Sequence, residues 1–311
     1  MSDATGYRTN TGNIIVTGEP LVKLLKNIET VANMYPGRLV AKGTTDFDIK
    51  VADGVLAKPI GWLAYEDAPP TFKPATIDTI YVVSDKTRIA RGGNFVIRAH
   101  MPKYWYATQG DVMLSWVDGQ VVPGEMIGGQ PFLKIPFTKK NGESDTNIDL
   151  VAGMVVSGCK CLVVTAASGT IDVGLLSSEA GGDADGFLDG MDTTTAGLIS
   201  EAITFTNGTN NHYIAAATDV TRGELLHAQL ASHTKADFIG VDASQHEDGS
   251  IFAVAYTVAA AVSVVYNTGN VASAGYILIG MENPGIVPVG FAEETVDSSA
   301  AAKEIMVRST L

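Results

Sequence analysis

The sequence predicts an all-β protein, with a small N-terminal β-barrel carrying one helix and a jelly-roll-like β-sandwich behind it. Three observations carry this. Short apolar runs alternate with polar residues along most of the chain. The runs stop at Gly, Asn, Asp and Ser clusters, and 33 of the 311 residues are Gly. Helical spacing dominates one stretch only.

Residues 1–12 are polar and aperiodic and read as an N-terminal arm. Helical spacing over residues 20–35 places Leu21, Leu24, Leu25, Ile28, Val31 and Ala32 on one face, with Lys23, Lys26 and Glu29 on the other. Pro36-Gly37 ends it. Strand patterns follow at 38–42, 47–51 and 60–65, the second stopping at the turn pair Asp53-Gly54. Further strands are expected at 79–83, around Ile89, at 95–99 and at 111–116. Asp118-Gly119, between Trp116-Val117 and Val121-Val122, signals a tight hairpin. The barrel domain is therefore placed at residues 13–126. Residues 127–147 are rich in Gly and Lys, with Pro131 and Pro136, and read as a linker. The sandwich is placed at 148–292, with strands at 148–154, 161–165, 170–176, 251–256, 261–266 and 274–279 and a short helix around Leu198. Residues 293–311 form a tail that is helical or pairs as a strand elsewhere.

Composition narrows the function classes. Hydrophobic residues make up 46% of the chain, enough for packed cores and too many for intrinsic disorder. No run approaches the ~20 apolar residues of a membrane helix, and no secretory signal is visible. The net charge of −13 and a pI near 4.7 argue against nucleic acid as a partner. The charge is uneven: residues 1–140 carry 16 Lys+Arg and 13 Asp+Glu, whereas residues 141–311 carry 5 and 21. A front part docked on something and an acidic back part facing water fit this step.

Several stretches resemble known proteins. NMYPGRLV at 33–40, DFDIKV at 46–51, PIGWLAYE at 59–66 and QGDVMLSWVDG at 109–119 resemble, in that order, the capsid (head) decoration proteins of tailed phages. TIDVGLLSSE at 170–179, GGDADGFLDG at 181–190 and AGYILI at 274–279 resemble a virion β-sandwich module. The resemblance implies a β-tulip-like barrel and a non-enzymatic bacteriophage structural protein. It implies a place on the outer capsid surface, often as a homotrimer at three-fold positions, and head stabilisation. The implied partners are the major capsid protein and further copies of this chain. The back domain departs from the minimal decoration protein, which stops after the barrel. Two other readings stand beside this one: a self-assembling extracellular filament or surface-layer subunit, and a carbohydrate-binding module on a virion.

Candidate sites are few. Asp183, Asp185 and Asp189 alternate around a Gly, as hard oxygen ligands for Ca²⁺ do on a tight turn. Thr194 stands where an EF-hand needs its bidentate Glu, so that motif is excluded. The competing reading is an Asp/Gly turn with solvated carboxylates. His100, His212, His227, His233 and His246 show no metal-ligand spacing. No G-x-S-x-G elbow and no Walker loop occur, and no cofactor is expected beyond that candidate Ca²⁺. Tyr104, Trp105 and Tyr106 sit beside Pro102 and Lys103, which suggests a loop whose rings meet a partner. Trp62 and Trp116 read as core. Cys159 and Cys161, two apart, would share one strand face as small buried hydrophobes.

Overall fold

A computed structural model describes residues 14–30, 34–64, 81–138, 142–179, 184, 187–199, 256–257, 262–268 and 273–311. They are overwhelmingly strand, and the all-β expectation holds. The chain divides into two compact units, residues 1–131 with 283–311, and residues 132–282.

In the first unit the strands run β1 (Ile15–Gly18), β2 (Leu21–Asn27), β3 (Leu39–Lys42), β4 (Asp48–Val51), β5 (Pro59–Leu63), β6 (Lys86–Arg91), β7 (Phe95–Met101), β8 (Tyr106–Ala107), β9 (Val112–Ser115) and β10 (Val121–Ile127). Five of them close a barrel in the order β2-β4-β3-β5-β6. Its core is Leu25, Met34, Val40, Ile49, Val51, Leu63, Tyr81 and Ile89. Alternation selects Ile49 and Val51 on β4, because residues two apart on one strand share a face, while Met34 and Tyr81 enter the core from outside the strands. The expected hairpin at Asp118-Gly119 joins β9 to β10, with φ of 55° and 65° at the two turn residues. Both are positive, as a tight hairpin turn demands.

The helix expected over 20–35 is not formed where the chain is described. Residues 21–27 are β2, which pairs antiparallel with β6 and parallel with β4. The apolar residues there do not make one buried stripe. Leu25 points into the barrel core, while Leu21, Val22 and Leu24 are exposed. Asn27 ends the strand from a fully buried position, its Nδ2 donating to the carbonyls of Tyr81 and Val82. Residues 31–33 lie outside the described residues, as does the arm at 1–12.

The second unit begins in β11 (Gln130–Thr138) and continues through β12 (Glu143–Leu150), β13 (Val155–Thr165), β14 (Thr170–Leu175), β15 (Leu188–Asp192), β16 (Gly197–Ile199), β17 (Tyr256–Thr257), β18 (Val262–Thr268) and β19 (Ala274–Met281). The expected linker over 127–147 is thus largely strand, and Leu198 lies on β16 instead of a helix. Lys134 explains part of the first difference. It is a cation in the middle of β11, yet it is buried with its Nζ 4.4 Å from the Tyr276 ring centroid. Two sheets make a sandwich-like unit: β11-β19-β13-β16 with β17 beside β13, and β12-β18-β14-β15. Phe137 and Tyr266 meet between them edge to face, with centroids 6.0 Å apart. Gly275 is required here. A side chain on it would begin 2.0 Å from the Leu162 carbonyl oxygen and 3.0 Å from the Phe137 ring.

The chain then returns to the first unit as β20 (Pro288–Ala292), β21 (Val296–Asp297) and β22 (Lys303–Ser309). Residues 293–311 therefore take the strand alternative expected for them, pairing with distant strands and belonging to the first unit instead of forming a separate tail. β22 lies between β7 and β20 in the sheet that continues through β9 and β10.

Candidate functional site

The turn that carries Tyr104 is built around one hydroxyl. Ser298 is fully buried, and its Oγ lies 2.7 Å from the Pro102 carbonyl oxygen and 2.8 Å from that of Trp105. The same oxygen accepts the Trp105 N–H at 3.2 Å. One hydroxyl has a single proton, so it bonds one carbonyl at a time while it accepts. The Tyr104 N–H donates to the Ser298 carbonyl at 2.9 Å, and the short β8–β21 pair anchors Tyr106 and Ala107 just beyond the turn. Ser298 thus bridges a turn that has to present its third residue in an unfavourable conformation. Tyr104 has φ 78°, a region ordinarily left to Gly or Asn.

The three aromatic residues separate. Trp105 is only 2% exposed and packs edge to face on Trp116, with centroids 5.7 Å apart. It is core and cannot meet a partner, which corrects the expectation from its flanking Pro and Lys. Adjacent residues in extended backbone point opposite ways, so a buried Trp105 turns Tyr106 outward, while the left-handed turn orients Tyr104. Tyr104 and Tyr106 are half-buried. Lys103 lies over the Tyr104 ring, Nζ 4.2 Å from its centroid, and donates to its hydroxyl at 2.8 Å. What remains at the surface is an aromatic face capped by a cation, suited to a protein contact.

Of the candidate Ca²⁺ ligands, Asp183 and Asp185 lie outside the described residues. Asp189 is placed on β15 by its backbone alone. Among the described residues, no group of three or more His, Cys, Asp or Glu gathers as metal ligands.

His100 is the one described histidine. It is buried on β7, and its Nε2 lies 2.8 Å from the Pro36 carbonyl oxygen. Burial and the nearby Arg38 charge push its pKa down to about 3, against the smaller opposing pull of the Pro36 carbonyl. A neutral ring with Nε2–H donating satisfies that geometry. This is a structural histidine tying the Pro36 turn to β7.

Cys159 and Cys161 are both free, buried and on one face of β13, as their spacing predicts. Register places Cys161 beside Ile277 and Cys159 beside Ile279, and on the next strand Ile135 and Leu133 continue the two rows. Burial raises the Cys159 thiol well above its ordinary range, with the Cys161 charge adding to it. Burial pushes the Cys161 thiol up to about 12. A thiol held neutral is a poor nucleophile, so both serve as packing groups.

Asp53 at the predicted turn is also structural. Its Oδ1 accepts the N–H groups of Val55, Leu56 and Ala57 at 2.9–3.0 Å. Burial alone would raise its pKa, but these three donors and Lys50 together hold it below the usual range.

Sequence reasoning missed Ser298, the organiser of the aromatic turn. No local signal marks it, because its partners Pro102 and Trp105 lie 196 and 193 residues away. No family model matches this chain, and no curated protein matches it either.

Proposed function

We propose that this protein is a non-enzymatic structural protein of a phage particle that binds the outer surface of the capsid and stabilises the shell. The observation that carries the reading is the division of charge between the two units. Residues 1–131 and 283–311 hold 15 Lys+Arg and 17 Asp+Glu, a net of −2. Residues 132–282 hold 6 and 17, a net of −11. The near-neutral unit can approach a protein shell without a large electrostatic cost. The acidic unit, left toward solvent, keeps crowded copies apart. The motifs that resemble head decoration proteins, at 33–119, fall in the near-neutral unit.

Stabilisation in this reading is mechanical. A copy that bridges several shell subunits, itself joined to others as a trimer, makes many weak contacts that must break together. The Lys103–Tyr104 face is the contact we assign to the near-neutral unit.

The test is quantitative mass spectrometry of purified particles from the source. A ratio near one copy per major shell subunit is the expected result. Absence from particles, with the chain recovered in pelleted filaments, overturns the reading in favour of a filament subunit.

A further inference from the structure

We propose that the open end of the barrel binds a carboxylate-bearing sugar, one residue of an acidic polysaccharide. The inner faces of three strands carry the argument. Leu25, Val40 and Ile89 belong to the barrel core. Two residues along the same strands stand Lys23, Lys42 and Arg91, on the same inner faces by the period of two. The apolar core therefore gives way to three cations at one end of the barrel. A cleft of about 430 Å³ opens there, within the size range of small-molecule sites. Leu25, Ile60 and Ile89 form its apolar lining.

Two of the cations are placed for an anion. In the β2–β6 register Leu21 faces Arg91 and Lys23 faces Ile89. Lys23 and Arg91 are then diagonal neighbours, roughly 7–8 Å apart along the backbone, within reach of long side chains. Like charges so placed are relieved by a counter-ion between them. Of the nearby carboxylates, Asp46 pairs with Lys42 and also feels the Lys23 charge, and Asp48 accepts the Thr45 hydroxyl at 2.8 Å, which leaves Arg91 as the cation most open to an added anion. Among the described residues Arg91 forms no ion pair, and its planar fork suits a carboxylate.

The rest of the cleft selects a sugar body. Phe47 lies on its rim with 73% of its surface exposed, an aromatic face on which the C–H side of a sugar ring stacks. Asp48 retains acceptor capacity for hydroxyls. A polyol ring presents hydroxyls around its edge and C–H groups on its face, which matches polar groups around an apolar lining. A fatty or aromatic acid would leave Asp46 and Asp48 against an apolar body and lose hydrogen bonds.

The test is titration of the full chain with glucuronate, glucose and inorganic sulfate, followed by calorimetry or chemical-shift change. Expected is saturable glucuronate binding near millimolar Kd, with glucose at least ~10-fold weaker. Arg91→Gln and Lys23→Gln each weaken glucuronate by ~10-fold or more with an unchanged thermal midpoint. Phe47→Ala weakens glucuronate but not sulfate. Sulfate binding as tightly as glucuronate, with no effect of Phe47→Ala, overturns the sugar assignment in favour of a plain anion site. No saturable glucuronate binding overturns the proposal. Purified protein suffices, so the result is independent of whether the chain sits on a particle.

Discussion

The indole N–H of Trp62 donates to the hydroxyl of Ser309 at 2.9 Å, across 247 residues of chain. Trp62 lies on β5, fully buried, and Ser309 closes β22 near the C-terminus. Leu63 points into the barrel, so Trp62, its neighbour, points out of it onto β22. The same hydroxyl oxygen accepts the Leu311 N–H at 3.2 Å. One bond thus ties the barrel wall to the last strand of the adjoining sheet within the first unit.

Ser309→Ala should cost about 1–3 kcal/mol, far more than its small volume implies, because it strands a buried indole N–H. Trp62→Phe should cost about 2–4 kcal/mol from the lost bond and the cavity. The double variant should cost less than the sum of the two, with a coupling of at least ~0.5 kcal/mol by urea unfolding. Strict additivity would mean that the bond contributes nothing.

Tyr104→Gly should leave the thermal midpoint undiminished, because a left-handed backbone costs a non-glycine residue about 1–2 kcal/mol. It should nevertheless reduce occupancy on capsids if the Lys103–Tyr104 face is the contact. Ser298→Ala should do the opposite to stability and lower it by about 1–3 kcal/mol, since the Pro102 and Trp105 groups lose a buried partner. Thermal melts of both variants, with particle binding of the glycine variant, check the pair.

His100 makes the fold sensitive to acid. Its pKa in the folded chain is depressed to about 3 from an ordinary 6.5, so its contribution is present above about 6.5 and is lost as pH falls toward 3. The slope approaches about 1.4 kcal/mol per pH unit in that window. His100→Gln retains a donor for Pro36 without titrating. Its unfolding free energy should fall less steeply from about pH 6 to about pH 4 than that of the parent. Parallel curves would show that His100 titrates normally.

The two thiols should resist modification in the native state. At about pH 8 an aromatic disulfide reagent should react with Cys159 and Cys161 at least ~100-fold more slowly than in urea. The linkage runs opposite to that of His100. Both folded pKa values are raised, so stability is whole below the ordinary thiol pKa and declines as pH rises toward 12. Rapid native labelling would place the pair at a surface.

Much of the secondary structure was legible in local signals. Alternation identified β3, β4, β5, β7 and β9, and Asp118-Gly119 identified the turn before β10, because side-chain period and turn chemistry depend on near neighbours. The parity of Cys159 and Cys161 followed for the same reason. The stretch at 20–35 shows the limit. Leu21, Leu24, Leu25 and Ile28 satisfy a helical period, and a short apolar run cannot choose between helix and strand by spacing alone. The hydrogen bonds that make it β2 come from β6, more than 60 residues away for most pairs.

By itself, then, the sequence determined an all-β chain, its turn positions, its acidic imbalance and which neighbouring side chains point the same way. Tertiary structure alone decided that Trp105 is core, that residues 293–311 return to the first unit, and that Lys23 and Arg91 meet at one end of a barrel. The physical reason is the range of the interactions. Alternation fixes which residues share a face, but strand pairing between distant segments decides which face is buried and which residues become neighbours across it.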